Sequence, residues 1–127
     1  MDHVIMADVI GIENDLGTGS IAQHIRVRCR PWHSAVLVII DKERLGNGNF
    51  KIWYTPLSDI SIQKVAIGYD QIMRFIRNEI PTRHVTHIET EEREHFLNDV
   101  FQSVSDNYGI EHIILTREMP LIKCLVK

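Results

Sequence analysis

Three arginines in alternation, Arg26, Arg28 and Arg30, are the residues whose type and spacing point most directly to chemistry. In a strand, alternate side chains share a face and stand roughly 6.6 Å apart. Guanidinium forks in such a row suit a run of phosphates, another extended anion or an acidic protein surface. The plain alternative is a solvated outer face balanced by carboxylates on a neighbouring strand. His33 follows after Pro31 and Trp32, which stiffen its corner, while Arg30 could hold an anionic group there. That makes His33 the histidine best placed for proton transfer, although it sits in no recognisable nucleophile or metal motif.

His84, His87 and His95 form the second constellation. Three imidazoles can bind zinc, and Glu91 or Glu92 could complete the shell. The spacing argues against it: His84 and His87, three apart, face opposite sides of a strand, and no HExxH pattern is present. No metal and no cofactor are therefore expected. Glu89, Glu91, Glu92 and Glu94 suit a basic partner instead, with Trp32, Phe50, Trp53, Tyr54 and Tyr108 as aromatic anchors. Gly17-Thr18-Gly19-Ser20 matches neither a Walker loop nor a dinucleotide fingerprint, and reads as a connection.

Composition sets wider bounds. The 127 residues carry 14 basic and 17 acidic side chains, a formal charge of −3, which disfavours indiscriminate nucleic-acid binding without excluding a local basic groove. Cys29 and Cys124 fit no CxxC pattern, and both are expected as buried free thiols. The opening MDHVIMADVIG lacks the features of a secretion signal, and no stretch is apolar enough to span a membrane. The cytoplasm is the expected compartment.

The elements that must position these residues follow from period. Nineteen Ile and ten Val, against eight Leu and four Ala, favour strands over an all-helical bundle. Strands are predicted at 4–12, 24–30, 34–41 and 50–55, the last two joined by a long hairpin through Gly46-Asn47-Gly48-Asn49. From residue 58 or 59 the period becomes helical up to Ile80, and Pro81 stops it. Residues 83–89 fit a short strand or linker. Thr90 caps a second predicted helix with Glu91, Glu92 and Glu94 in its first turn. Residues 110–116 and 121–126 read as a closing hairpin around 117–120.

The expectation is one α+β domain over 1–127, a mostly antiparallel sheet of five to seven strands with two helices packed on one face. Its expected function is a small cytoplasmic protein-interaction or regulatory module acting by surface complementarity. A protein partner, or self-association through an edge strand, is its expected company. The alternative is a phosphate-handling enzyme or a nucleic-acid- or nucleotide-binding domain using the Arg26/Arg28/Arg30 strand face for an anionic ligand.

Overall fold

The run Ala35–Asp41 is buried at every position, which a strand manages only when both faces of its sheet are covered. The computed structural model, which describes residues 2–42, 51–79, 84–116 and 121–127, shows how that cover is built. Five strands, β1 (Asp2–Gly11), β2 (Ala35–Asp41), β3 (Ile52–Leu57), β4 (His84–Glu91) and β5 (Glu111–Leu115), lie in the order β3-β2-β1-β4-β5. Between them run α1 (Ser20–Arg26), α2 (Ile62–Glu79) and α3 (Asp99–Asn107), and α4 (Leu121–Leu125) follows β5. Residues 43–50, with the expected hairpin turn Gly46-Asn47-Gly48-Asn49, residues 80–83 and residues 117–120, where a turn is expected, lie outside the described residues.

β1, β2 and β3 pair antiparallel, whereas β4 and β5 run parallel to β1. The sheet is therefore mixed, not mostly antiparallel, and the described residues contain four helices rather than two. The physical reason lies in the connections. A parallel neighbour needs a crossover, and α2 and α3 supply those before β4 and β5.

Alternation along β1 divides the interior. Ile5, Ala7 and Val9 join Leu37 and Ile39 beneath Val65, Tyr69, Met73 and Ile76 of α2 and Phe101 of α3. Met6 and Ile10 join Val36, Val38 and Ile40 beneath Ala22 and Ile25 of α1 and Ile122 of α4. Helices thus cover both faces, correcting the expectation that they share one. Pro56 sits within β3 instead of ending it, paired with Val36. Lys51 and Leu57 carbonyls bond toward β2, so by alternation Pro56 faces the open edge, where its missing N–H costs nothing.

The predicted strand at 24–30 is helix followed by turn. Ile21, Ala22, Ile25 and Cys29 recur at helical spacing and pack on the sheet, while Val27, required inward by a strand, is 76% exposed. The predicted closing strand at 121–126 is likewise α4, with Ile122 and Val126 buried four apart. Thr90 lies inside β4, its hydroxyl 2.6 Å from His112 Nε2, so it caps no helix. α3 starts later, where the Asn98 side chain accepts from the Phe101 N–H at 2.8 Å. Gly109 ends that segment with φ 67°, a left-handed turn that glycine adopts without strain. Cys29 is half-buried and Cys124 exposed, so neither is the buried thiol expected.

Candidate functional site

A carboxylate in the middle of an apolar strand is the least comfortable residue in this fold, and Asp8 of β1 is one. Its parity places it with Met6 and Ile10 on the face covered by α1 and α4. Met6 pairs with Glu89 across the parallel β1–β4 ladder, so two residues further on Asp8 stands level with Glu91 at the carboxyl end of β4. The two acids line one cavity of about 10 Å³, near the threshold for a single water, with Glu89, Leu115 and Ile122 also in its wall.

Asp8 is 3% exposed. One oxygen accepts the Val9 N–H at 2.8 Å; the other has no hydrogen-bond partner among the described residues. Burial pushes the carboxyl up to about 6, and the nearby Glu91 charge adds to that rise. The Val9 N–H and the positive charges of Arg93 and Lys123 oppose it. Glu91 itself is largely buried, and Arg93 Nε reaches its Oε2 at 3.3 Å.

Two other buried carboxylates of the sheet show how such groups are settled when stability alone decides. Asp41 meets His3 Nδ1 at 3.2 Å, and Glu89 meets Lys42 Nζ at 2.9 Å. Asp8 has two cations near enough to feel and neither in bonding contact. A buried acid held partly protonated near neutrality, beside a second acid and two cations, can bind a cation, exchange a proton or receive a phosphate on its basic flank.

The structure takes apart the arginine row. Arg26 lies in α1 and spends its guanidinium on the carbonyls of Gly17, Leu16 and Ile12, at 2.6, 2.8 and 3.4 Å. Arg28 and Arg30 lie in the exposed connection to β2, so no strand face carries the three together. His33 is held there, its Nδ1 accepting the Arg30 N–H at 2.8 Å. The histidine trio is not gathered either. His84 is exposed at the start of β4, His87 pairs with Glu111 at 2.8 Å, and His95 lies beyond the strand's other end, edge-on to Phe96. Burial lowers the His95 pKa, with the Arg93 charge contributing. Glu92 is exposed just past Glu91, in the turn after β4 and not on a helix. Asp8 was missed because it reads as a blemish in an apolar run; that blemish was the available signal.

No family model matches the chain, and no curated protein matches it in sequence. Solved structures do share its fold. The catalytic core domain of HTLV-2 integrase, solved in complex with magnesium, superposes with a TM-score of 0.57 in both its trimeric and dimeric forms. Identity is 14% in each, and the match covers 88–89% of this chain and 59% of that one. The integrase intasome of simian T-cell lymphotropic virus, in complex with the PP2A regulatory subunit B56 gamma, gives a TM-score of 0.63 at 14% identity. That match covers 98% of this chain and 35% of the other, so the chain spans from about a third to three-fifths of the structures it resembles. At this identity the likeness concerns the fold. It counts against the expected protein-interaction or regulatory module, because the fold matched is one found in integrase catalytic cores, and it sits better with the phosphate- or nucleic-acid-handling alternative. Among the described residues no helix is long and apolar enough to cross a membrane.

Proposed function

We propose that this domain handles nucleic acid and acts on its phosphodiester backbone at the carboxyl ends of β1 and β4. One observation carries the reading: among the described residues, Asp8 has neither a hydrogen bond to its second buried oxygen nor an ion-pair contact, and it stands beside Glu91 in a fold shared with integrase catalytic cores. The magnesium bound by the HTLV-2 core makes a divalent cation the natural third party.

The side chains present fit such an ion in part. Among the described residues no three His, Cys, Asp or Glu are grouped to hold a metal. Two carboxylates suffice for Mg²⁺ when waters and substrate phosphates complete its octahedron. Asp8 and Glu91 would hold it, and when bound it neutralises phosphate charge and acidifies a water. Lys123 of α4 and Arg93 after β4 border the acids and would take the substrate's non-bridging oxygens. Ile122 and Leu115 keep bulk water from the acids. Deprotonation of Asp8 near pH 6 sets the acid limit of metal binding. The expected cytoplasmic setting and the exposed edge of β3, as a place for a protein partner or second copy, belong to this proposal as well.

The test is incubation of the protein with end-labelled single- and double-stranded DNA and RNA, with Mg²⁺, Mn²⁺ or chelator. Cation-dependent strand cleavage that disappears in Asp8→Asn and Glu91→Gln is the expected result. No cleavage of any substrate, together with no cation-dependent rise in melting temperature, would overturn it.

A further inference from the structure

The connection between α1 and β2 holds the sequence Arg28-Cys29-Arg30-Pro31-Trp32-His33, and it is closed on itself. His33 N–H donates to the Arg30 carbonyl at 3.0 Å, and Arg30 N–H donates to His33 Nδ1 at 2.8 Å. Because Nδ1 accepts, the neutral imidazole carries its proton on Nε2. Trp32, tilted against that ring with centroids 5.7 Å apart, is 67% exposed. A large aromatic ring is thus presented mainly to solvent.

Its surroundings are polar and basic. Trp32 and His33 border a hollow of about 330 Å³ against α2, whose floor includes Lys64, Gln71 and Ser58. Lys64, Arg28 and Arg30 are exposed, and among the described residues none has a carboxylate in bonding contact. Asp59, the carboxylate that feels Lys64, is turned to the Ser61 N–H at 2.9 Å. An aromatic face, amide and imidazole donors, a lysine at the hollow and two exposed arginines in the adjoining connection are what an unpaired base with its flanking phosphates requires.

The corner lies at one end of the sheet. Ile12 N–H bonds the Ser34 carbonyl, and Ser34 N–H bonds the Leu57 carbonyl, so the corner sits at the end of the sheet where β1 finishes. The hollow opens on the α2 face of the sheet, whereas Asp8 faces α1 and α4, so a strand seated at Trp32 must round that end of the sheet to approach the acids.

We infer that the Trp32–His33 corner is a stacking subsite for an unpaired nucleobase, with Arg28, Arg30 and Lys64 on the neighbouring phosphates. It rests on the nucleic-acid-handling reading and names single-stranded nucleic acid as the form held.

Of the two tryptophans, Trp53 is buried, so fluorescence quenching by solvent-borne bases reports Trp32. Titration with oligothymidylate and oligouridylate should quench it, and a matched duplex should quench it far less. In anisotropy with a labelled oligothymidylate, Trp32→Ala should weaken binding roughly 5- to 100-fold, the range for one lost stack, and Trp32→Phe should recover part of it. Lys64→Ala should lower the slope of log affinity against log salt by about one. Equal affinity of Trp32→Ala and wild type, or equal quenching by duplex and single strand, would overturn the subsite. The cation-dependent melting shift separates the two readings. If it persists while Trp32→Ala binds like wild type, the subsite fails and the acidic pair stands. If neither binding nor shift is seen with any nucleic acid, both fail.

Discussion

Replacing Asp8 by Asn should make the metal-free protein more stable at alkaline pH while removing its function. The ordinary Asp pKa of 3.8 rises to about 6 in the fold, chiefly because burial disfavours the charged form. Between those values the native state keeps a proton that the unfolded chain has released, so stability falls as pH rises through that window. Roughly two decades of proton affinity at about 1.4 kcal/mol each come to about 3 kcal/mol carried by the native state above pH 6. The Asn amide oxygen can still accept the Val9 N–H, and its uncharged NH₂ on the cavity side removes the repulsion from Glu91, so most of that cost should return. For a chain of this length about 3 kcal/mol corresponds to roughly 10 °C in melting temperature. The assay is thermal unfolding of both proteins in chelator, from about pH 4 to about pH 8. The variant's advantage should be largest at the alkaline end and vanish near the acid end. Magnesium should then reverse part of it, since a ligand at about ten times its Kd adds about 1.4 kcal/mol to the protein that binds it. A variant less stable than wild type at about pH 8, or a difference independent of pH, would refute the reasoning. Asp8 would then be a settled structural acid.

Three further outcomes follow from other contacts. Arg26→Lys should destabilise the protein by about 1–3 kcal/mol in urea unfolding, because an ammonium cannot span the three carbonyls that the guanidinium gathers. Gly17→Ala should cost about 1–3 kcal/mol, since its Cβ would lie 1.9 Å from the Lys127 carbonyl carbon. Hydrogen exchange should show the Gly17 and Gly19 amides, now bonded to Val126 and Lys127 carbonyls, losing protection. His112, whose pKa burial holds below the ordinary 6.5, must stay neutral in the native state, so its contribution is lost as pH falls below that value. His112→Asn should therefore lose less stability than wild type between about pH 7 and about pH 5.

What the sequence disclosed depends on how long each pattern ran. β2 and α2 were legible because seven consecutive buried positions and eighteen helical ones leave little room for a second period. α1 and α4 have seven and five residues, and over such spans alternation and helical spacing select overlapping sets of apolar residues. Cys29 and Ile25 fit both, and only the exposed Val27 decides between them. Strand direction was illegible for another reason: a buried parallel strand and a buried antiparallel one share the same period. A strand at 24–30 entails the arginine row, whereas the Arg26 guanidinium serves the loop 12–17. Asp8 offered one carboxylate among apolar neighbours, and its significance depends on Glu91, brought level by a pairing that spans 83 residues of chain.

The contrast among the sheet's acids bears on why Asp8 persists. Asp41 and Glu89 are buried too, but Asp41 lies against the His3 imidazole and Glu89 against the Lys42 ammonium. A protein selected only for stability could settle Asp8 likewise, by turning Lys123 inward or substituting an apolar residue, since neighbouring Met6 and Ile10 already fill that face. Instead Arg93 is committed to Glu91, and Lys123 acts on Asp8 only through its field. Glu91 raises the proton affinity of Asp8 further, which a stabilising design would avoid. Two acids kept close at a cost relieved by a shared cation, with basic groups at their rim, form an arrangement whose stability is recovered on binding a cation and an anion together. A phosphodiester with its counter-ion meets both demands at once, and neither a free metal nor a free phosphate does. Melting shifts measured with Mg²⁺ alone, an oligonucleotide alone and the two together should therefore be more than additive, and strict additivity would remove the argument.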